Sequence, residues 1–310
     1  MSQFPLLSVL MPVYNAQQFV AAAIESILNQ SFTDFELLII DDGSTDRSLS
    51  ILQHYAAQDS RIRLRSRPNQ GFVKTLNELL TQASGELIAR MDADDVALPD
   101  RFARQVAFLQ RYPQVVCVGG AQDWIDEAGR LLRHNHEAEQ DSDIQEKLLR
   151  GQTAINHPSA LMRRSALLQV GGYDELMYPA EDLDLWLRLG EIGALANLPD
   201  TVLKYRQHDR SISEQLQAKQ TQQRRYACEQ AWKRRGITDT FPEIFPWRPT
   251  DRASRHQFLL QYGWIFFSRG DRQAAVVYGM KAIQTLPLNL DSWRLLICAL
   301  IKPLPEVQSV

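Results

Sequence analysis

Along the first two hundred residues, short apolar runs alternate with stretches whose apolar positions recur every three or four residues. Residues 6–15 read as a buried strand that a proline, Pro12, brings to an end. Phe19, Ala23 and Ile27, with Val20, Ile24 and Leu28 beside them, mark one face of the helix that follows. Residues 35–40 form a second apolar run, stopped by Asp41-Asp42-Gly43-Ser44. Leu49, Leu52 and Ala56 predict the next helix, residues 62–64 a short strand, and Val73, Leu76, Leu80 and Ala83 another helical stripe. A third run, Leu87-Ile88-Ala89-Arg90-Met91, stops at three carboxylates within four positions, Asp92, Asp94 and Asp95. A helix starting near Pro99 then turns Phe102, Val106 and Leu109 inward, and residues 115–118 form a further strand.

Strands alternating with helices of this length predict parallel βαβ units with right-handed crossovers. Ligands of such open sheets bind beyond the carboxyl ends of the strands. Three such ends carry residues 12–15, 41–42 and 92–95, and the topology brings them to one rim. If extended geometry persists, Asp92 and Asp94 project to the same side. Two carboxylates there repel unless a cation lies between them, and Mg²⁺ or Mn²⁺ prefers oxygen ligands, commonly with phosphate oxygens completing the shell. The functional reading is a divalent metal holding a diphosphate. The structural alternative is an acidic loop capping the next helix, since Pro99 suits a first helical turn. No G-x-G-x-x-G follows the first strand and no G-x-x-x-x-G-K-[ST] occurs anywhere, which disfavours a dinucleotide fold and a P-loop.

The 310 residues, 45% hydrophobic and 23% charged, suit one large domain or one domain with an appendage. A net charge of -3 argues against nucleic acid as a main partner. It conceals an asymmetry: residues 1–200 hold 17 Lys and Arg against 28 Asp and Glu, residues 201–310 hold 17 against 9. The basic segment suits an anionic lipid surface or an acidic acceptor, although a solvated helical surface is the commoner cause of such a balance. Cys117, Cys228 and Cys298 match no metal or redox spacing and read as small core residues of a reducing compartment. No charged region followed by an apolar segment opens the chain, and no run reaches the roughly 18 apolar residues that span a bilayer. The expectation is a cytoplasmic protein, free or held peripherally at the inner face of the membrane.

The motifs Ser8-Val9-Leu10-Met11-Pro12-Val13-Tyr14-Asn15, Leu28-Asn29-Gln30-Ser31-Phe32, Asp41-Asp42-Gly43-Ser44-Thr45-Asp46 and Met91-Asp92-Ala93-Asp94-Asp95 occur in this order. In order and spacing they resemble the family 2 glycosyltransferases of the inverting type, over roughly residues 5–215. That resemblance implies a GT-A fold: an α/β domain with a mixed, mainly parallel sheet between helices. It implies that Pro12 and Tyr14 contact the nucleotide base and that Asp42 accepts from its ring N–H. Asp92-Ala93-Asp94 resembles the family's Asp-x-Asp element, with Asp92 near ribose or metal and Asp94 the direct ligand of Mn²⁺ or Mg²⁺. Asp95 is expected to cap or buttress. Lys74, on a segment resembling the family's loop and helix beside the donor, is a candidate for phosphate.

Glu181-Asp182 resembles the family's acidic pair at a helix start. It implies Asp182 as the base that takes the acceptor's hydroxyl proton, with Glu181 as its acceptor-side neighbour. The structural alternative is two acids favouring a helix N-terminus. His157, in Asn156-His157-Pro158-Ser159, is an acceptor-side candidate, and a hydrogen-bonded structural histidine is its alternative. Arg206 and His208 resemble a loop that closes over the diphosphate, Arg206 on phosphate through its fork of donors and His208 in the metal shell.

From about residue 216 to 310 the pattern is helical, and Gly263, Phe266, Ala275, Ala282 and Pro287 fall at offsets resembling one tetratricopeptide-type helix pair. One pair cannot bury its own face, so it should pack on the catalytic domain, residues 1–215, or on a partner. The expected activity is metal-dependent transfer of a sugar from a nucleotide diphosphate, UDP by preference, to a hydroxyl of a glycan or lipid-linked acceptor in cell-envelope polysaccharide synthesis. The rivals are a nucleotidyltransferase, which needs a glycine-rich basic loop where Asn15-Ala16-Gln17-Gln18 stands, and a catalytically silent sugar-nucleotide binder or assembly subunit.

Overall fold

The computed structural model describes residues 4–207, 216–238 and 251–303. The chain divides into two compact units, Met1–Ile244 and Phe245–Val310. The first begins with β1 (Leu7–Val13), α1 (Val20–Leu28), β2 (Phe35–Asp41), α2 (Ser48–Gln58), β3 (Ile62–Ser66), α3 (Phe72–Gln82) and β4 (Leu87–Arg90). There follow β5 (Val96–Ala97), α4 (Arg101–Arg111), β6 (Val115–Ile125), β7 (Leu131–Asn135), α5 (Asp141–Leu149), β8 (Leu161–Arg163) and α6 (Arg164–Gln169). The helix α7 (Glu181–Leu189), the strand β9 (Ala194–Arg206) and the helix α8 (Gln217–Arg235) complete it.

The sheet is mixed. Its strand order is β3-β2-β1-β4-β8-β6-β9-β5, with β7 paired to β6. The first four neighbours are parallel, as the βαβ pattern requires, whereas β8 enters antiparallel between β4 and β6. Alternate residues of each central strand serve opposite layers. In β1, Leu7, Val9, Met11 and Val13 join the core under α1 and α4, while Leu10 joins the core under α3 and α7. Phe35, Leu37 and Ile39 of β2 divide from Leu38 and Ile40 in the same way. Burial on both faces is why these strands read as continuous apolar runs.

Pro12 lies inside β1, opposite Ile40 of β2, rather than at its end. The partnership of β1 with β4 stops at Leu10 and Arg90, so on that side the proline's missing donor breaks no ladder. Strand β6 continues through Gly119 and Gly120 to Ile125, well past residue 118. A Cβ on Gly120 would come within 2.8 Å of the Val202 side chain of β9, and the small residues let these two strands meet.

Helix α8 docks on α7 and α5 within the first unit: Trp232 Nε1 donates to Leu149 O (2.9 Å) and Gln220 Nε2 to Pro179 O (3.0 Å). The second unit contains α9 (Arg252–Ser268), α10 (Arg272–Thr285) and α11 (Leu290–Ile301), capped by the side chains of Asp251, Asp271 and Asn289. A Cβ on Gly263 would meet Leu295 at 2.4 Å, so this glycine allows α9 and α11 their close approach. Among the described residues no helix is long and apolar enough to cross a membrane. Cys117, Cys228 and Cys298 are buried and free.

Candidate active site

A cavity of about 780 Å³ opens at the carboxyl ends of β1, β2 and β4. Of the residues singled out in the sequence, Pro12, Tyr14, Asp42, Asp92, Asp94, His157, Glu181 and Asp182 all line it. Lys74 and Arg206 do not, and His208 lies outside the described residues.

The turn after β2 is tied to the end of β1. Asn15, at φ 50°, donates its N–H to Ser44 Oγ (2.9 Å), and its own side-chain oxygen accepts from Thr45 N (2.8 Å). Gly43, at φ +77°, comes so close to the loop before α3 that a Cβ would lie 2.6 Å from Asn69 N. That approach lets Asp42 accept from the N–H groups of Gln70 (2.9 Å) and Gly71 (3.0 Å). Its Oδ1 also accepts from Arg67, whose Nε and Nη2 hold Glu78 (2.9 Å) and Thr75 (2.8 Å). A carboxylate offers about four lone-pair directions, so one on Asp42 Oδ2 remains for a ligand N–H. Tyr14 is 54% exposed on the rim.

Beyond β4 the side-chain oxygens of Asp92, Asp94 and Asp95 lie within 4.8 Å of one another. Asp95 is 1% exposed; its Oδ1 accepts from Arg206 N (2.8 Å), and Oδ2 has no hydrogen-bond partner. Burial first, then the charges of Asp94 and Asp92, push the Asp95 carboxyl well above the usual range. Hard oxygen donors, crowded and one of them orphaned, fit a small divalent cation that would relieve both defects. Asp95 thus has more than a capping role open to it.

Arg206 braces this loop from behind. Its Nε donates to Asp94 O (2.7 Å) and its Nη1 to Asp126 O (3.1 Å) and Glu127 O (3.0 Å), with its guanidinium stacked 4.7 Å from the Phe19 ring. These carbonyls occupy its Nε and Nη1. Lys74 is exposed on α3, next in sequence to the buried Val73 and Thr75 and away from the cavity.

At the opposite wall α7 begins with Glu181 and Asp182. Asp182 Oδ1 accepts from Leu183 N (2.8 Å); burial raises its carboxyl, and the Arg224 charge on α8 counters that most strongly. Glu181 is 6% exposed and pushed up to about 8 by burial and by its neighbour Asp182. His157 donates or accepts through Nε2 at the Tyr173 hydroxyl (2.9 Å) and packs edge-on to Phe72 and Trp186. Burial keeps this imidazole neutral, its pKa well below the usual value. It therefore has the hydrogen-bonded structural setting as well as a place on the cavity wall.

Two arginines were missed in the sequence. Arg67 continues the alternating row Arg61, Arg63, Arg65 that runs through β3 and its flanks, a pattern that could have marked it as a partner for the acid of the adjacent strand end. Arg90 ends β4, 2% exposed, lines the cavity, and is ion-paired through Nη1 to Asp92.

The model of the family described as glycosyl transferase family 2 matches residues 8–171, more than half of the chain. The chain belongs to glycosyl transferase family 2. It is 37% identical over 216 residues to EpsE of Bacillus subtilis, a match spanning 67% of this chain and 75% of that one. It is 32% identical over 214 residues to the O-antigen biosynthesis glycosyltransferase WbnJ of Escherichia coli, spanning 66% and 81%. Among solved structures, TarS of S. aureus is similar with a TM-score of 0.57 at 19% identity, covering 94% of this chain and 52% of that one. The mannosyltransferase PcManGT from Pyrobaculum calidifontis, in complex with GDP-Man and Mn²⁺, gives 0.55 at 19% identity, covering 97% and 82%. The fold of this family 2 enzyme is thus GT-A, and its activity is glycosyl transfer.

Proposed function

We propose that this enzyme transfers a sugar from a nucleotide diphosphate, UDP by preference, to a hydroxyl of a glycan or lipid-linked acceptor, with inversion and with a divalent cation. What carries the reading is the meeting of Asp42, Asp94 and Asp182 on one cavity, although they are separated by up to 140 residues of chain. The base lies against Pro12 and Tyr14, and the lone pair left on Asp42 accepts its ring N–H. A buried carboxylate used this way discriminates between bases, since a base without that donor leaves one of its lone pairs unsatisfied.

Asp92, Asp94 and Asp95 would hold Mn²⁺ or Mg²⁺, which supplies Lewis-acid stabilisation of the departing diphosphate. Asp182 takes the proton of the acceptor hydroxyl as it attacks the anomeric carbon; one base and one displacement give inversion. Its carboxyl, raised by burial and opposed by Arg224, is a better proton acceptor than a solvated aspartate while remaining ionisable. The wall formed by Glu181, His157 and Gln220 of α8 is the acceptor side of the cavity. Catalytic groups thus fall within residues 1–215 and the helical segment 216–310 adds the α8 wall. Relatives in O-antigen and amylovoran biosynthesis support an envelope polysaccharide as the product, and the basic segment suits peripheral contact with an anionic membrane.

A thermal-shift panel of UDP-, GDP- and other nucleotide sugars, with and without Mn²⁺, tests this. Ligand linkage raises the unfolding temperature for a true donor. Stabilisation by one nucleotide class that requires the cation is expected; no response to any nucleotide sugar would refute the reading.

A further inference from the structure

The last described helix, α11, is apolar on two sides and buried on only one of them. Ser292, Leu295, Cys298 and Ala299 turn into the second unit, where Leu295 packs at Gly263 and the Ser292 hydroxyl lies 2.6 Å from His256 Nε2. On the other side stand Leu290, Trp293, Ile297, Leu300 and Ile301, with Leu288 just before the helix, each between 45% and 96% exposed. At 3.6 residues per turn the five helical side chains fall within an arc of about 100°. Exposed leucines scattered singly need no explanation, whereas a contiguous apolar stripe marks a contact surface. The stripe is also free of unmet polar groups at its aromatic residue: Trp293 Nε1 donates to Pro287 O (2.8 Å), so the indole can leave water with its one donor already partnered.

Charge identifies what covers the stripe. Arg294 flanks the arc and Lys302 follows the helix, both exposed, and Arg272 Nη2 donates to Lys302 O (2.6 Å), which adds a third cation at that end. Asp291, in the first turn, is the one acid on α11. Residues 245–310 hold eight Lys and Arg against four Asp and Glu, and two of those acids, Asp251 and Asp271, are engaged as helix caps. We propose that this face of α11 lies in the surface of an anionic lipid membrane, with its apolar arc among the upper acyl chains and Arg294 and Lys302 at the lipid phosphates. The twelve residues of α11 make about 18 Å, short of the roughly 30 Å of a hydrocarbon core, so the helix lies flat in the interface. A second copy of the chain fits less well, because a symmetric pairing of the stripe brings two basic rims together, whereas anionic headgroups neutralise them. This rests on the reading of the basic segment as a membrane contact and adds the surface that makes it. Charge alone holds a basic segment near lipid; the arc holds it by burial.

The test is flotation of the full chain with vesicles of phosphatidylcholine alone and of phosphatidylcholine mixed with phosphatidylglycerol, at low and high salt. The proteins are the wild type, Ile297→Glu, Leu300→Glu and Arg294→Gln; all three positions are exposed, and unchanged thermal unfolding establishes that each variant is folded. The wild type should float with the phosphatidylglycerol vesicles and keep part of that binding at high salt, because apolar burial is not screened. Each glutamate variant should lose about tenfold or more in partitioning, the worth of one large apolar side chain withdrawn from lipid. Arg294→Gln should lose about fivefold, on the anionic vesicles only. Phosphatidylglycerol binding that high salt abolishes and the glutamate variants retain would overturn the α11 surface and leave the electrostatic contact standing. Binding to neither vesicle would remove both, and equal binding to the two vesicle types would overturn the assignment to anionic lipid. A wild-type dimer in light scattering that Ile297→Glu converts to a monomer, without flotation, would give the face to a second copy.

Discussion

Replacing Glu181 by Gln should make the protein more stable at alkaline pH and leave it nearly unchanged at pH 5. The carboxyl is 6% exposed, one oxygen has no partner, and burial followed by the Asp182 charge pushes it from 4.5 to about 8. The folded protein therefore keeps a proton that the unfolded chain releases above pH 4.5. With fewer protons bound in the unfolded state, stability falls as pH rises, until the folded group ionises near 8. At about 1.4 kcal/mol per pH unit, the separation amounts to about 5 kcal/mol above pH 8 as a ceiling. An open cavity lets water offset part of this, leaving about 2 to 5 kcal/mol. Glutamine has the same shape and never ionises, so the variant escapes the penalty. Relief of the repulsion on Asp182 acts in the same direction. For a unit of this size each kcal/mol moves the midpoint by about 2–4 °C, so the variant should melt about 5–15 °C above the wild type at pH 8.5. The assay is thermal unfolding of both proteins at pH 5, 7 and 8.5 with chelator and without nucleotide. A gap that stays constant with pH, or that opens toward acid, would refute the reasoning.

Asp182→Asn should keep nucleotide-sugar binding and lower kcat by about 10²–10⁴, the usual worth of a positioned base; near-normal turnover would remove Asp182 from that role. Arg67→Met deprives Asp42, Glu78 and Thr75 of their shared cation; it should cost about 3–5 kcal/mol in denaturant unfolding and weaken nucleotide binding in calorimetry. Gly43→Ala combines a strained φ with a Cβ 2.6 Å from Asn69 N. It should destabilise by about 1–3 kcal/mol and loosen nucleotide binding, as the Asp42 turn can no longer press on the α3 loop.

The parallel half of the fold was legible because strands buried on both faces announce themselves as apolar runs, and their acidic ends follow from the topology. The antiparallel half was not. β8 is three residues long, too short for any periodicity, and β6 hides its second half behind Gly119 and Gly120, which look like a break and are there for close packing against β9. In the site, the acids stood out and their counter-charges did not. Arg90 sits among Leu87, Ile88, Ala89 and Met91 and reads as a blemish in a strand; its value depends on Asp92 and Glu181, the second of which is ninety-one residues away in sequence. Arg206 carried the chemistry of a phosphate ligand, but only the loop conformations of residues 94 and 126–127 reveal that carbonyl oxygens occupy its Nε and Nη1.

The most direct test of the cation-bridged diphosphate site is calorimetric titration of UDP into the wild type and Asp94→Asn, each with Mn²⁺ and with chelator. The wild type should bind at least about tenfold more tightly with Mn²⁺, and Asp94→Asn should bind weakly under both conditions. Equal UDP affinity in all four titrations would contradict the account.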